Sequence, residues 1–387
     1  MSDIKKLYVC LLLMAGLSCF AGAVLALDTS EAALVIPNVS AGSAEVPFLY
    51  DYNNKCLCVP QKATCLVNSD GQSVTFKVTV PIKSGYKPSG LNQRDGVIWN
   101  DDRIEVFLQP NGSGSFYQFI LNAAGAIYDS RDRDKGWNGN PETKVTINPD
   151  NWQAEIKVPF ALIGFDPAKS SIIRGNVAVA SNEPGNTFCL TWIKLPVDFL
   201  HVDSFDVWKL SNNLPFVEKI AVNDTAYDAT GAHVKVDYTI KNPSASEVGF
   251  GSAQPTVIPA GSEKSFSRDI TLAGTKLAVL DIGLSDWFAY KSEVKNGLVP
   301  TVELNALDAY HFTVIPRNSE ILTRFADSLS LTVDGKNVLT CRLADLPKKV
   351  VNTSKWAEGD HKFVYEFLDK SGKSYSVCAR QGAATRG

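Results

Sequence analysis

Methionine, histidine and clustered basic residues are scarce in this chain of 387 residues. The two methionines are Met1 and Met14, and the four histidines are scattered along the sequence. The formal net charge is −3, with acidic and basic residues interspersed and no stretch rich in lysine or arginine. These scarcities argue against a histidine-rich metal site and against nucleic acid as a partner.

Long hydrophobic runs are also lacking after the first 26 residues. Lys5 and Lys6 precede the apolar stretch 7–15, and small residues follow up to Ala26. This layout predicts a signal peptide over residues 1–26, because the stretch is shorter than the roughly 20 residues that a spanning helix needs. An uncleaved membrane anchor is the alternative. We therefore expect a secreted, periplasmic or cell-surface protein with no transmembrane segment in the mature chain.

Cysteine is sparse, and an even number remains outside the predicted signal peptide. The six are Cys56, Cys58, Cys65, Cys189, Cys341 and Cys378. An exported chain permits disulfides, and Cys341 with Cys378 is one plausible pair. Cys56 or Cys58 with Cys65 would close a short loop, whereas thiols in the core are the alternative.

Helical periodicity is scarce as well, and short strand-like runs dominate the chain. Apolar or aromatic residues alternate with polar ones, between turn residues, in segments 74–80, 103–109, 116–121, 144–147, 152–158 and 176–180. Many short strands of this kind predict an all-β fold. Residues 160–165 fit at most one helical turn.

The length and two junctions predict several domains after residue 26. One junction lies near 212–215, and a second lies within 297–305. We predict a jelly-roll-like or immunoglobulin-like β-sandwich over 27–213. Two smaller immunoglobulin- or fibronectin-like sandwiches over 214–299 and 300–387 follow from their strand–turn–strand spacing. The last contains hairpins around Asp334-Gly335 and Ser371-Gly372.

The stretch 99–165 carries the most informative motifs of the chain. They begin with Trp-x-Asp-Asp-x-x-Glu, continue with Asn-x-x-Gly and Tyr-Asp, and end with Trp-x-x-Glu before a proline. The matching residues are Trp99, Asp101, Asp102, Glu105, Phe107, Asn122, Gly125, Tyr128, Asp129, Trp152, Glu155 and Pro159. A later block matches at Trp192, Phe199, His201 and Phe205, with Leu200 inserted. Over about residues 38–212 the chain resembles carbohydrate-binding module family 9-like domains, which are related to the DOMON domains.

The resemblance implies non-catalytic glycan binding. Members of this family clamp a terminal sugar between two tryptophan rings, which implies Trp99 and Trp192 here, with Glu105 as the carboxylate for sugar hydroxyls. Other candidate contacts are Arg131, Asn122, Gln118 and Trp137. Flat rings suit the apolar face of a sugar, and amides, carboxylates and arginine suit its hydroxyl rim.

Alternative roles exist for several of these residues. Trp192 alternates with apolar neighbours and fits a core position equally well. Trp137 either lines a site or caps the sandwich. Asp101 and Asp102 either order the turn before their strand through bonds to backbone N–H groups or help to hold a calcium ion. Calcium is therefore a possible ligand, and we expect no other cofactor.

Other classes of function are less well supported by the sequence. Paired carboxylates for a glycosidase have no enforcing spacing, and no serine nucleophile elbow, phosphate loop or His-Glu-x-x-His motif occurs, so we expect no enzyme. Haem binding, known among DOMON domains, lacks a methionine ligand in the mature chain. The main alternative is a structural or adhesive surface protein, whose C-terminal sandwiches bind a protein partner and whose sugar site is degenerate.

Overall fold

The protein folds almost entirely into β-strands. The computed structural model describes residues 33–53, 56–57, 62–193, 195, 198–228, 231–250, 256–273, 277–285, 288–295, 301–317, 326–357, 359–372 and 374–384. The predicted all-β class is confirmed within these residues. The predicted signal peptide, residues 1–26, lies outside them. Among the described residues, no helix combines the length and the apolar character needed to cross a membrane.

Strands β1 to β14 cover the part of the chain up to residue 211. They are β1 Leu34–Pro37, β2 Ala44–Pro47, β3 Tyr50–Asp51, β4 Cys56–Leu57, β5 Thr64–Ser69, β6 Ser73–Pro81, β7 Arg103–Pro110, β8 Tyr117–Asn122, β9 Ile127–Arg131, β10 Glu142–Ile147, β11 Asn151–Pro159, β12 Ile172–Ser181, β13 Phe188–Thr191 and β14 Asp206–Ser211. Short 3₁₀ turns occur at Ile98–Asn100, Phe160–Ile163 and Val202–Ser204.

Strands β15 to β28 cover the remainder. They are β15 Phe216–Asp228, β16 Gly231–Lys241, β17 Val248–Phe250, β18 Thr256–Ile258, β19 Glu263–Ala273, β20 Leu277–Ser285, β21 Phe288–Lys295, β22 Thr301–Asp308, β23 His311–Arg317, β24 Ser328–Val333, β25 Lys336–Arg342, β26 Val350–Asn352, β27 Gly359–Leu368 and β28 Ser374–Ala384. A further 3₁₀ turn spans Leu343–Lys348.

Two sheets form the first sandwich. Sheet I has the order β20-β21-β4-β3-β13-β12-β7-β8-β9, with β14 added to β12 and β1 paired in parallel to β14. Sheet II has the order β10-β11-β6-β5-β2. Their inner faces meet: the ring of Phe76 on β6 lies 5.7 Å from that of Trp208 on β14, centroid to centroid. One apolar cluster fills the space between them.

Alternation along the strands explains this core. On β11, Trp152, Ala154, Ile156 and Val158 are buried, while the residues between them are partly exposed. Successive side chains of a strand point to opposite faces, so one face of the strand enters the core. The helical turn allowed at 160–165 is the 3₁₀ turn Phe160–Ile163.

The later strands form smaller sheets. Sheet III is β15-β16-β19, β17 and β18 form a two-stranded ribbon, sheet IV is β22-β23-β26, and sheet V is β25-β24-β27-β28. The hairpin around Asp334-Gly335 joins β24 to β25, and both residues have positive φ angles, 48° and 79°. A turn of that kind matches the right-handed twist of the strands that it joins.

The predicted domain limits at 213 and 299 stay predictions. Strand β14 ends at Ser211 and β15 begins at Phe216, on either side of the predicted linker. However, β20 and β21 extend sheet I, because Lys295 pairs with Cys56. Part of the region predicted as a second sandwich therefore hydrogen-bonds to the first.

The disulfide candidates are corrected. Cys65, Cys189 and Cys341 carry free thiols. Cys341 lies on β25 and Cys378 on β28, the opposite edges of sheet V. Three strand spacings separate them, about 14 Å, which is beyond the reach of a disulfide. Cys65 is fully buried, as expected for a core thiol, and the Cys58 part of the prediction lies outside the described residues.

Candidate functional site

A cavity of about 590 Å³ lies over sheet I and collects several of the predicted site residues. Of the predicted set, it contains Trp99, Glu105 and Gln118. Its lining is Tyr52, Asn53, Trp99, Asn100, Arg103, Glu105, Gln118, Ile120, Ala180, Asn182, Thr187, Phe188, Cys189, Asp198, Phe199 and Leu200. Aromatic rings, amides and charged groups thus converge on one concave surface.

Strand β7 directs its charged side chains into this cavity. Arg103 and Glu105 alternate with Ile104 and Val106, which belong to the core cluster. Because neighbouring side chains point to opposite faces, burying the isoleucine and valine turns the arginine and glutamate to the other face. The sequence pattern therefore fixes which face of sheet I carries the polar floor.

The floor of the cavity is a buried polar network. Arg103 Nε donates to Glu105 Oε1 at 2.8 Å, and Gln118 Nε2 donates to Glu105 Oε2 at 3.1 Å. Ser130 Oγ donates to Gln118 Oε1 at 3.4 Å. Arg103 and Glu105 are 7% and 3% exposed. Such a pair is held in position and partly screened from water, which strengthens hydrogen bonds to anything that enters.

Both members of the pair keep capacity for a ligand. Within the described residues, Arg103 also donates from Nη1 to the Asp101 carbonyl at 3.4 Å. A guanidinium carries five N–H donors, and a carboxylate has about four lone-pair sites. Arg103 and Glu105 can therefore each bind a hydroxyl group of a ligand.

Aromatic rings form the walls. Phe199 lies against Tyr52 with 4.4 Å between ring centroids, and it stacks on Phe107 at 6.2 Å with an interplanar angle of 5°. Trp99, in the 3₁₀ turn before β7, meets Tyr128 edge-on at 6.1 Å. Trp99 is 49% exposed, so a large part of its ring is open to contact.

Arg174 on β12 holds the loop that carries Phe199 in place. Its Nη2 atom donates to the backbone carbonyls of Asp203 and Phe205 at 3.0 Å each. Leu200, the residue inserted relative to the motif, also lines the cavity. Leu200 is therefore part of the cavity wall and not of its polar floor.

The predicted pairing of Trp99 with Trp192 is wrong. Trp192 is fully buried in the core cluster, and its indole N–H donates to Asp206 Oδ2. Burial raises the pKa of Asp206 to about 7. A ring enclosed by the core offers no face to a sugar, so the core alternative holds for Trp192.

The aspartates suggested for calcium order the turn instead. Asp102 Oδ2 accepts from Tyr86 Oη at 2.7 Å and from the Ser89 amide at 2.9 Å, and Oδ1 accepts from the Asn182 amide at 2.8 Å. Asp101 Oδ2 accepts from the Leu91 amide at 3.0 Å. These N–H and O–H donors occupy positions that a cation would need. The residues present do not fit calcium.

Asn122 has a structural position near this turn. It is fully buried, and its Nδ2 donates to the Leu91 carbonyl and to Asp101 Oδ2, each at 2.8 Å. Its Oδ1 accepts from the Ala126 amide at 2.9 Å. Asn122 thus ties the 82–102 loop to the β8–β9 turn and lies outside the cavity lining, contrary to the predicted sugar contact.

Arg131 and Trp137 also lie outside the lining. Arg131 is exposed at the end of β9 and donates to Ser115 Oγ at 3.3 Å. The Trp137 ring is half-buried and packs on Tyr117 at 5.2 Å between centroids. A Cβ atom at Gly139 would lie 2.3 Å from that ring, so glycine is needed there. Trp137 therefore caps the sandwich.

The structure adds site residues that the sequence analysis missed, above all Arg103, Tyr52, Asn182 and Asp198. Alternation along β7 was the available signal for Arg103, because it shares a face with Glu105. The others come from loops far apart in sequence, whose meeting depends on the pairing of β3 with β13. Cys189 also lines the cavity, and burial raises the pKa of its thiol to about 12, so the thiol is neutral.

Comparison with known proteins gives structural similarity only. No family model and no curated protein matches the chain. A solved structure from Bacteroides uniformis, itself only provisionally described as a carbohydrate-binding protein, is 14% identical with a TM-score of 0.36, over 46% of this chain and 98% of its own.

A second similar structure is a carbohydrate-binding module of family 9 from Caldicellulosiruptor kristjanssonii in complex with cellotriose. It is 14% identical with a TM-score of 0.32, over 47% of this chain and 94% of its own. At these scores neither similarity carries an argument about the ligand of this chain.

Proposed function

We propose that this chain is an exported, non-catalytic glycan-binding protein and that the cavity over sheet I is its binding site. The observation that carries the proposal is the half-exposed ring of Trp99 beside the buried Arg103–Glu105–Gln118 floor. A ring that can cover the apolar face of a sugar and fixed donors and acceptors for its hydroxyls are the two requirements of such a site.

The site stacks a sugar on one tryptophan rather than between two. Trp99 is the platform, and Phe199 and Tyr52 form the opposite wall. Arg103 donates to hydroxyl oxygens, whereas Glu105 accepts from hydroxyl groups. Asp198 lies near Arg133, with 3.7 Å between Oδ2 and Nη2, so acidic and basic groups are balanced around the cavity. That balance favours uncharged sugars.

Titration of the purified protein with a panel of soluble oligosaccharides tests the proposal. The Trp99→Ala variant should bind about tenfold more weakly, because the stacking surface is removed. Val97→Ala is the matched control, since Val97 is 51% exposed in the same loop but lies outside the lining. Absence of saturable binding by the folded wild type, or equal binding by Trp99→Ala, would contradict the proposal.

A structural or adhesive surface protein is the second candidate, favoured by the burial of Trp192, which removes half of the predicted clamp. In that case the protein partner binds the later sheets. A truncation that ends at residue 299 keeps β20 and β21, which extend sheet I, and removes sheets IV and V, whose apolar cluster is separate, so it separates the two candidates. Sugar binding retained by the truncated chain supports the first, and cell-surface attachment that requires the later sheets supports the second.

A further inference from the structure

The end of strand β12 meets the turn that carries Trp99 at the cavity over sheet I. Asn182 directly follows this strand and lines the cavity together with Trp99 and Asn100. Its side chain donates from Nδ2 to the Asn100 carbonyl at 2.7 Å, and its backbone N–H donates to Asp102 Oδ1 at 2.8 Å. One residue therefore holds the segment 100–102 at two points.

The backbone of Asn182 has a rigid base. Strand β12 pairs with β7 on one side and with β13 on the other. Asp102, which accepts the Asn182 amide, is fully buried and also accepts from the Tyr86 hydroxyl and the Ser89 amide. Paired strands and a buried carboxylate thus set the position of Asn182 before any ligand binds.

The turn Ile98–Asn100 has few other attachments. Ile98 is buried and fixes its start, whereas the two residues after it are exposed. Its other backbone hydrogen bonds are local ones, from the Ile98 amide to the Gly96 carbonyl and from the Asp101 amide to the Ile98 carbonyl. Among the residues that the structure describes, the Asn182 side chain donates the hydrogen bond that joins the end of this turn to another strand. Short 3₁₀ turns have poor hydrogen-bond geometry of their own, so this outside bond matters.

The Trp99 ring depends on the position of this turn. The ring is 49% exposed and meets Tyr128 edge-on, with an interplanar angle of 84°. One aromatic contact of this kind restrains a ring less than enclosure in a core does. The ring therefore keeps its orientation beside the cavity floor because the backbone that carries it is held, and the Asn182–Asn100 hydrogen bond holds it.

We propose that Asn182 is the positioning residue of the sugar site, which acts by fixing the Trp99 ring and does not itself bind the sugar. The inference rests on the proposed function of the cavity. A binding surface that is already in place loses less freedom when a ligand arrives, so its affinity is higher. A ring that is in place for only part of the time binds with an affinity reduced by that fraction.

Fluorine NMR of the full chain labelled with 5-fluorotryptophan tests the positioning without any sugar. The chain has seven tryptophans, and the Trp99 signal is the one that Trp99→Ala removes. Asn182→Ala should shift or broaden that signal and leave the signal of the buried Trp192 in place. Asn182→Asp should do the same, because it keeps the shape and the acceptor oxygens but lacks the amide donor.

Calorimetric titration with cello-, xylo-, manno- and laminari-oligosaccharides measures the effect on binding. Asn182→Ala should bind the recognised sugar about fivefold more weakly, since one exposed hydrogen bond is lost. In the Trp99→Ala background, Asn182→Ala should cause no further loss, because two residues that act through one contact are not additive. Pro184→Ala is the control for both measurements, since Pro184 is exposed in the same turn as Asn182 but lies outside the lining.

The two measurements separate this inference from the proposed function. A Trp99 signal that Asn182→Ala leaves unchanged overturns the inference, whatever the sugars do. So does a shifted signal with wild-type affinity, and so does a fivefold loss that persists in the Trp99→Ala background, because Asn182 then contacts the sugar directly. If no oligosaccharide binds the wild type, the proposed function fails, and the fluorine signals alone decide whether Asn182 positions the ring.

Discussion

The first sandwich and the C-terminal sheets IV and V differ in what they bury. Around the cavity, the first sandwich buries Asp102, Arg103, Glu105 and Asp129. In the described part of sheets IV and V, His361 is the buried residue among the histidines, arginines, lysines, aspartates and glutamates. Burying a charge costs several kcal/mol unless hydrogen bonds and an opposite charge offset it.

The difference indicates that the two regions have different tasks. In the first sandwich, the buried charges of Arg103 and Glu105 form the rigid floor of the cavity. The buried charges of Asp102 and Asp129 hold loops in place. Asp129, for example, accepts from Arg94 at 2.7 Å and from the Gly139 amide at 2.6 Å, and so joins two loops. The core of sheets IV and V consists of apolar side chains, which stabilise the fold by packing alone.

The largest expected effect comes from breaking the buried pair on the cavity floor. Glu105→Leu leaves the Arg103 charge buried without its partner, so the free energy of unfolding should fall by about 3–5 kcal/mol. The double variant R103M/E105L should recover most of this loss, because no charge stays buried. Urea unfolding measures both. Sugar binding should be lost in both variants.

Equal stability of Glu105→Leu and R103M/E105L would contradict the comparison. It would mean that the floor is hydrated enough to tolerate a lone charge, and that the two regions differ less than their burial suggests.

The next effect concerns the turn before β7. Asp102→Ala removes a buried carboxylate that accepts three hydrogen bonds, and we expect a loss of about 2–3 kcal/mol in the free energy of unfolding. The 82–102 loop should also loosen, which weakens sugar binding through Trp99. Asp203→Ala, at an exposed aspartate, is the control and should change stability little. Hydrogen exchange of the loop amides reports the loosening.

A pH dependence distinguishes the regions next. Asp206 and Glu45 both have folded-state pKa values raised to about 7 by burial, from ordinary values near 4. The native state then binds more protons than the unfolded state between about pH 4 and pH 7. The contribution of these two carboxyls to stability should therefore be largest near pH 4 and fall by roughly 6 kcal/mol up to pH 7.

Asp206→Asn and Glu45→Gln, made separately, should each flatten part of that slope. Denaturant midpoints at several pH values measure it. A wild-type profile that rises from pH 4 to pH 7 would show that these carboxyls are ionised and well solvated in the folded state.

The smallest effect belongs to the C-terminal region. His361 Nδ1 lies 2.5 Å from Asp334 Oδ2, and that hydrogen bond raises the pKa of the imidazole. The stabilisation is complete below the unfolded pKa and is lost as the pH rises through the folded value. Because Asp334 is exposed at the turn, water and salt weaken the pair. His361→Gln should remove a shallow pH dependence above about pH 6.5 and leave the slope between pH 4 and pH 7 intact.

The sequence predicted the strands well and the site in part. Segments 103–109 and 152–158 alternate clearly, and both became strands within a residue or two. Glu105 was identified from the motif Trp-x-Asp-Asp-x-x-Glu. Alternation along β7 then places its side chain on the same face of the strand as that of Arg103. Trp192 was misassigned because a tryptophan between apolar neighbours fits a core and a clamp equally, and the choice depended on the distant partner Asp206.

Loops limited the prediction elsewhere. Tyr52, Asp198 and Phe199 meet through the pairing of strands far apart in sequence, which no local pattern reveals. Asn122 and Asp102 were identified as candidate site residues, but most of their hydrogen-bond partners are backbone amides and carbonyls, which every residue carries. Their roles in holding the 82–102 loop therefore follow from the structure and not from the sequence.

The parallel pairing of β1 with β14 has a mechanical consequence. Leu34 pairs with Trp208 and Pro37 with Ser211, so the chain enters at one end of this pair and leaves toward sheet III at the other. Tension between these two points pulls the strands past each other, and the hydrogen bonds share the load instead of opening one by one. A single-molecule pulling experiment between residues 33 and 212 should record one abrupt rupture.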